Sequence, residues 1–119
     1  MSDAFRARVA TICKDLPGAE VSDPWGGGHD AWKVGGRMFA CIGAVVEGVS
    51  VKCADVETAE MLKQVGAAVH APYFHKSWVR LLESTDPQEL KDRIVASYDL
   101  ICAKLPGGVR RSLGARVEG

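Results

Sequence analysis

Residues 23–43 read DPWGGGHDAWKVGGRMFACIG, a run in which the Gly35-Gly36 pair separates two short segments of strand-forming residues. A glycine pair between such segments is typical of the two-residue turn that closes a β-hairpin, because this turn needs positive φ angles. Strict alternation from the turn gives three cross-strand pairs on one face: Val34 with Arg37, Trp32 with Phe39, and Asp30 with Cys41. Apolar side chains then fall on both faces, so we expect each face of the hairpin to be partly covered.

Helical spacing marks three segments outside the hairpin. The first carries Phe5, Val9, Ile12 and Leu16 and stops at Pro17-Gly18. A short middle helix is expected from Asp55, with Met61, Leu62 and Val65 pointing inward and Gly66 at its end. The dipeptide Asp86-Pro87 has the residues of a helix start. The helix that follows carries an apolar stripe that runs to Leu105 and ends before Pro106-Gly107.

Strand patterns fill much of the remaining chain, at 19–23, 49–53 and 78–83. The order of elements predicts an α+β domain: an antiparallel sheet of about five strands packed with an N-terminal helix, a C-terminal helix and a short middle helix. We expect one domain over residues 1–107. The tail, residues 108–119, shows no periodicity and is expected to be disordered.

Charge and cysteine content narrow the class of protein. Fifteen Lys and Arg residues balance 15 Asp and Glu residues, so the chain lacks the overall positive field that attracts nucleic acid or anionic membranes. Any polyanion site must therefore be a local patch. The four cysteines form no Cys-x-x-Cys pair and lie in apolar runs, which predicts buried free thiols. With no secretory signal and no bilayer-length apolar run, we expect a cytoplasmic protein that does not enter the membrane.

Several motifs occur together in a distinctive order. They are Leu16-Pro-Gly-Ala, Asp23-Pro-Trp-Gly, Ala31-Trp-Lys-Val-Gly-Gly-Arg-Met-Phe-Ala, Val49-Ser-Val-Lys-Cys-Ala-Asp55, Ala71-Pro-Tyr-Phe-His-Lys-Ser-Trp-Val79, Ser97-Tyr-Asp-Leu100 and Leu105-Pro106. In this order and spacing the chain resembles the MmcQ/YjbR family of small bacterial proteins. The resemblance implies a compact α+β fold, similar to frataxin-like and secretion-chaperone-like architectures, and DNA binding through a double wing of β-hairpins.

A double-wing DNA site requires cations near hairpin tips and on one sheet face, since phosphate contacts dominate affinity. The residues that meet this requirement are Lys33, Arg37, Lys52, Lys76 and Arg80. DNA is therefore the first partner we consider. The alternative interpretation is that these are ordinary charges that keep sheet edges soluble.

A second hypothesis is a binding site for a small polar ligand or a protein partner, built from aromatic and histidine side chains. Its candidate residues are Trp25, His29, Trp32, Tyr73 and His75. The alternative for strand residues such as Trp32 is packing in the core. Such a site could also form across a dimer interface, and the sequence does not determine the oligomeric state.

An enzyme that uses the histidines is a third hypothesis, but no catalytic, metal or cofactor spacing supports it. The histidine and aspartate spacing matches no common ligand motif, and the glycine triplet lacks the Gly-Lys-Ser/Thr ending of a phosphate loop. The first helix also carries no acidic ridge of the kind linked to iron binding in frataxin-like folds. We therefore expect a non-enzymatic protein without metal or cofactor.

Overall fold

The structure is a computed structural model that describes residues 2–113 of the chain. Within this range the chain forms four helices and six strands. In chain order these are α1 (Asp3–Lys14), β1 (Glu20–Ser22), β2 (Asp30–Val34), β3 (Arg37–Ile42), β4 (Val49–Lys52), α2 (Val56–Gln64), β5 (Val69–His70), β6 (Trp78–Leu81), α3 (Pro87–Cys102) and α4 (Gly107–Leu113).

The six strands form one antiparallel sheet in the order β1-β2-β3-β4-β6-β5. Helix α3 lies against the central strands β2, β3 and β4, α1 packs on α3, and α2 packs on β5 and β6. The helices therefore cover one face of the sheet, called here the helix face, and the opposite side is called the open face. The predicted α+β fold is confirmed, with six strands instead of about five.

Side chains cap the starts of three helices, and the caps at Asp55 and Asp86 are the predicted ones. The side chain of Ser2 accepts a hydrogen bond from the Phe5 amide, and Asp55 does the same for Thr58. Asp86 accepts from two amides and is followed by Pro87, whose fixed φ suits the first helical position. These caps satisfy amides that have no partner inside a helix and so fix where each helix begins.

The core lies between the helices and the helix face. Tyr98 of α3 meets Phe39 of β3 edge to face, with ring centroids 5.3 Å apart, and its hydroxyl donates to the Pro17 carbonyl. Other fully buried side chains here are Phe5, Val9, Val34, Ile42, Val49, Val51, Val79, Leu81, Leu90 and Ile94. Burial of this apolar set is the main force that holds the sheet against α1 and α3.

A β-bulge in β3 changes the hairpin register from the one that strict alternation predicts. Lys33 pairs with Met38 but Trp32 pairs with Ala40, so Phe39 is an extra residue on β3. Asp30 then faces Ile42, and the predicted pairs of Trp32 with Phe39 and Asp30 with Cys41 are wrong. The extra residue lets Phe39 and Ala40 both reach the core, because a bulge interrupts the alternation of side chains between faces.

Ser97 of α3 repairs the backbone hydrogen bonding beside this bulge. Pairing between β3 and β4 begins at Ala40 and Val51, so the neighbouring groups have no partner in the sheet ladder. The Ser97 hydroxyl donates to the Phe39 carbonyl at 2.6 Å and accepts from the Lys52 amide at 2.9 Å. One fully buried hydroxyl therefore satisfies two backbone groups.

Two further expectations differ from the structure. Helix α2 turns Ala59 and Leu62 inward, whereas Met61 and Val65 are exposed. Residues 107–113 form α4, where a disordered tail from residue 108 was expected; the rest of that tail, residues 114–119, lies outside the described range. In the described range no helix has the length and apolar character needed to cross a membrane.

Candidate functional site

A cleft of about 550 Å³ lies over the open face of the sheet and is called here the open-face cleft. Its floor consists of strand residues: Met38 and Cys41 of β3, Ser50 of β4 and Arg80 of β6. Its walls come from the three connections that span residues 23–29, 43–48 and 71–77. The volume lies in the range of small-molecule sites, and the lining is mainly apolar, as in such sites.

The first wall is organised by the Asp23 carboxylate. Its two oxygens accept hydrogen bonds from the Gly28 amide at 2.9 Å and the His29 amide at 3.2 Å. The Gly28 bond is the main reason that the pKa of Asp23 lies below its ordinary value. Positive φ angles at three consecutive glycines allow the chain to curl around this carboxylate. The curl brings Trp25 edge to face with His29, with ring centroids 5.0 Å apart.

The second wall, residues 43–48, is fixed to β6 through Gly48 and Arg80. Gly48 has a φ of +103°, and a Cβ there would collide with the Leu81 carbonyl oxygen. Arg80 donates from Nη1 to the Glu47 carbonyl at 2.6 Å and from Nε to the His70 carbonyl at 3.0 Å. The guanidinium thus joins this wall to the end of β5.

The third wall, residues 71–77, starts at the end of the sheet opposite to the first two walls and folds back over the open face. Phe74 stacks on Trp78 with ring centroids 4.5 Å apart, which holds the segment in place. Tyr73 beside it has a φ of +72° and is 99% exposed. A tyrosine in the left-handed region costs conformational energy, and this side chain recovers none of it by burial.

The floor contains a row of three polar groups across adjacent strands. Cys41 pairs with Ser50, and Ser50 pairs with Arg80, so a thiol, a hydroxyl and a guanidinium lie side by side. Burial, and then the nearby Asp30 carboxylate, raises the pKa of the Cys41 thiol. The thiol is therefore neutral at ordinary pH and a poor nucleophile.

The structure gives different places to the five residues of the predicted aromatic and histidine site. Trp25, His29 and Tyr73 all line the open-face cleft. Trp32 is 3% exposed and lies in the core, because its partner Ala40 faces the helices. His75 is exposed and lies outside the cleft lining.

Of the floor residues, only Arg80 was predicted to belong to a site, as a DNA-binding cation; Met38, Cys41 and Ser50 were not. For Ser50 a signal was present, because the alternation of Val49, Ser50 and Val51 places a lone hydroxyl on the face opposite two valines. For Met38 and Cys41 no simple signal existed. Their common face depends on the bulge at Phe39.

His75 belongs to a small hydrogen-bonded cluster at the start of β6. The Ser77 hydroxyl lies 3.0 Å from both His75 Nδ1 and Lys52 Nζ, and the Ser77 amide donates to the same histidine nitrogen. Such a set resembles an activated serine, but Ser77 is 3% exposed, so a substrate cannot reach its hydroxyl. The cluster fixes the loop that precedes β6. Among residues 2–113 no group of three or more His, Cys, Asp or Glu side chains has the arrangement of a metal site.

The five predicted DNA-binding cations fall into two groups. Strand pairing puts Lys33, Arg37, Lys52 and Lys76 at one end of the sheet, called here the basic end. Burial, followed by repulsion from Lys104, lowers the pKa of Lys52. Arg80 is separate from them, because its guanidinium bonds to backbone carbonyls beside the cleft.

Comparison with known proteins places the chain in a family. The YjbR family model matches residues 14–100. The chain belongs to the YjbR family. No curated protein matches it. This YjbR chain is similar in fold to the crystal structure of Deinococcus radiodurans protein DR2400, which carries a DUF419 domain: the TM-score is 0.78 and the identity is 24%, over 89% of this chain and 85% of the other.

Proposed function

We propose that this chain is a non-enzymatic binding protein that holds a small, largely apolar molecule in the open-face cleft. The observation that carries the proposal is the cleft itself, about 550 Å³ of mainly apolar space with a few polar groups on its floor. Large apolar side chains at its rim add support. Trp25 is 60% exposed and Tyr73 is 99% exposed, so neither contributes much to the core.

A titration with the neutral fluorescent probe N-phenylnaphthylamine tests this function. The wild-type chain should bind the probe saturably. The double variant Trp25→Ser with Tyr73→Ser should bind it about tenfold more weakly, because it removes two apolar contact surfaces from the rim. Both side chains are exposed, so this variant is expected to fold.

Val65→Ser is the matched control, because Val65, directly after α2, is 70% exposed and does not line the cleft. It should bind the probe as the wild type does. Non-saturable binding by the wild type, or equal weakening in the control, would contradict the proposal.

DNA binding is a second candidate function, and the basic end favours it. Its four cations lie at the same end of the sheet, and within residues 2–113 none of them forms an ion pair with a carboxylate. A cluster of unpaired cations attracts phosphates even when the net charge of the chain is zero.

Fluorescence anisotropy of labelled duplex and single-stranded DNA, measured over a range of salt concentrations, tests this second function. If it is right, the dissociation constant at low salt lies near the micromolar range and rises steeply with salt. Lys33→Glu with Lys76→Glu should abolish binding, whereas Lys91→Glu on α3 should not. Absence of binding at low salt would rule out this candidate.

A further inference from the structure

We infer that the ligand of the open-face cleft is an apolar carboxylate. Its anionic head lies against Arg80 and Ser50, and its apolar body lies among Trp25, Val46 and Tyr73. The inference rests on the proposed binding function and adds the chemical class of the molecule bound.

The first argument is the uncompensated charge of Arg80. Its two hydrogen bonds go to neutral backbone carbonyls, those of His70 and Glu47. No carboxylate among residues 2–113 forms an ion pair with Arg80, and its Nη2 has no hydrogen-bond partner there. A guanidinium with a free nitrogen on the floor of a cleft can bind an anion through a charge-assisted hydrogen bond, which is stronger than a bond between neutral groups.

The second argument is the hydroxyl of Ser50. Ser50 is 5% exposed and lines the cleft, yet its side chain has no hydrogen-bond partner within the described part of the chain. Its oxygen is accessible from the cleft, because Arg93 Nε is the only buried side-chain nitrogen or oxygen without a partner among residues 2–113, so the hydroxyl can bond a ligand. Ser50 is directly opposite Arg80 on the neighbouring strand, and both residues line the cleft.

The third argument concerns the acidic residues around the cleft, which are already engaged. Asp30 forms an ion pair with Arg6 at 3.1 Å, and Asp23 accepts from the amides of its own loop. The Glu47 carboxylate accepts from the Glu83 amide at 3.2 Å. Apart from the neutral Cys41 thiol, the polar groups on the floor are therefore a cation and a hydroxyl, a set that selects an anion over a cation.

Tryptophan fluorescence titrations with decanoate, decanol and decylamine test the inference, since these probes share an alkyl chain and differ in head group. Wild-type protein should bind decanoate at least about tenfold more tightly than decanol, and decylamine most weakly. Arg80→Gln should remove the preference for decanoate while binding of decanol persists. Arg80→Lys should keep part of the preference, because it keeps the charge.

Ser50→Ala provides an independent test, because Arg80 also ties two loops together and its replacement affects them. This variant should bind decanoate about threefold to tenfold more weakly and decanol as before. Equal wild-type affinity for all three probes would overturn the carboxylate inference and leave the proposed function standing. If neither these probes nor N-phenylnaphthylamine bind, both fail.

Discussion

The two faces of the sheet are built from the same strands but have different properties. On the helix face, Val49, Val51 and Phe39 are fully buried in a continuous apolar core. On the open face, the intervening residues Ser50 and Arg80 carry polar groups, and exposed aromatic side chains stand above them. One face is explained by stability alone. The other carries the cleft of the proposed function, with exposed aromatic side chains that contribute little to the core.

Ser97→Ala should have the largest effect on stability, because it damages the helix face at the bulge. The substitution leaves the Phe39 carbonyl and the Lys52 amide without their partner, at a cost of about 3 kcal/mol in the free energy of unfolding. Urea denaturation measures the loss. The exposed Ser84→Ala should cost almost nothing. Equal effects of the two substitutions would mean that Ser97 does not bridge the strands.

Gly48→Ala tests how firmly the cleft wall is fixed to the sheet. The positive φ and the collision with the Leu81 carbonyl together should cost about 2 kcal/mol, again measured by urea denaturation. Gly36→Ala is the matched control, since Gly36 has a φ of +79° but open space around it. It should cost less than Gly48→Ala. A control that costs as much would show that backbone strain alone accounts for the effect.

Tyr73→Asn sharpens the contrast between the faces, because here loss of a large aromatic side chain should increase stability. Asparagine tolerates the left-handed region better than tyrosine, and a side chain that is 99% exposed contributes no burial. We expect a gain of about 0.5 kcal/mol in thermal or urea denaturation. Tyr73→Phe keeps the strain and should leave stability unchanged. A loss of stability in Tyr73→Asn would mean that Tyr73 supports the fold.

Acidification should produce the smallest effect, and at the first wall of the cleft it acts through Asp23. Asp23 has a lowered pKa in the folded chain, so its carboxylate stabilises the loop above the ordinary aspartate pKa, about 3.9. That contribution is lost as the pH falls through the lower folded-state value. NMR signals of Gly28 and His29 should follow this loss, and Asp23→Asn should abolish it. An unchanged titration in the variant would assign the effect to another group.

The helix starts, the Gly35-Gly36 turn and the α+β class were predictable because each depends on local chemistry. Ser2, Asp55 and Asp86 cap helices by contacts only a few residues away. The bulge at Phe39 was not predictable in this way, because it depends on the fit of Phe39 against Tyr98 and on the Ser97 hydroxyl, 58 positions along the chain. Three rim residues of the cleft stood out in the sequence as aromatic or histidine side chains in loops. The floor residues Met38 and Cys41 did not, because a missed bulge changes which residues share a face.

The two edge strands of the sheet are very short: β1 has three residues and β5 has two. An edge strand exposes unpaired backbone N–H and C=O groups that can hydrogen-bond to a strand of another molecule, and this is a common route to aggregation. Edge strands this short expose few such groups. Concentrated solutions of the folded chain should therefore resist the growth of intermolecular sheets, and fibril formation should require prior unfolding of the hairpin.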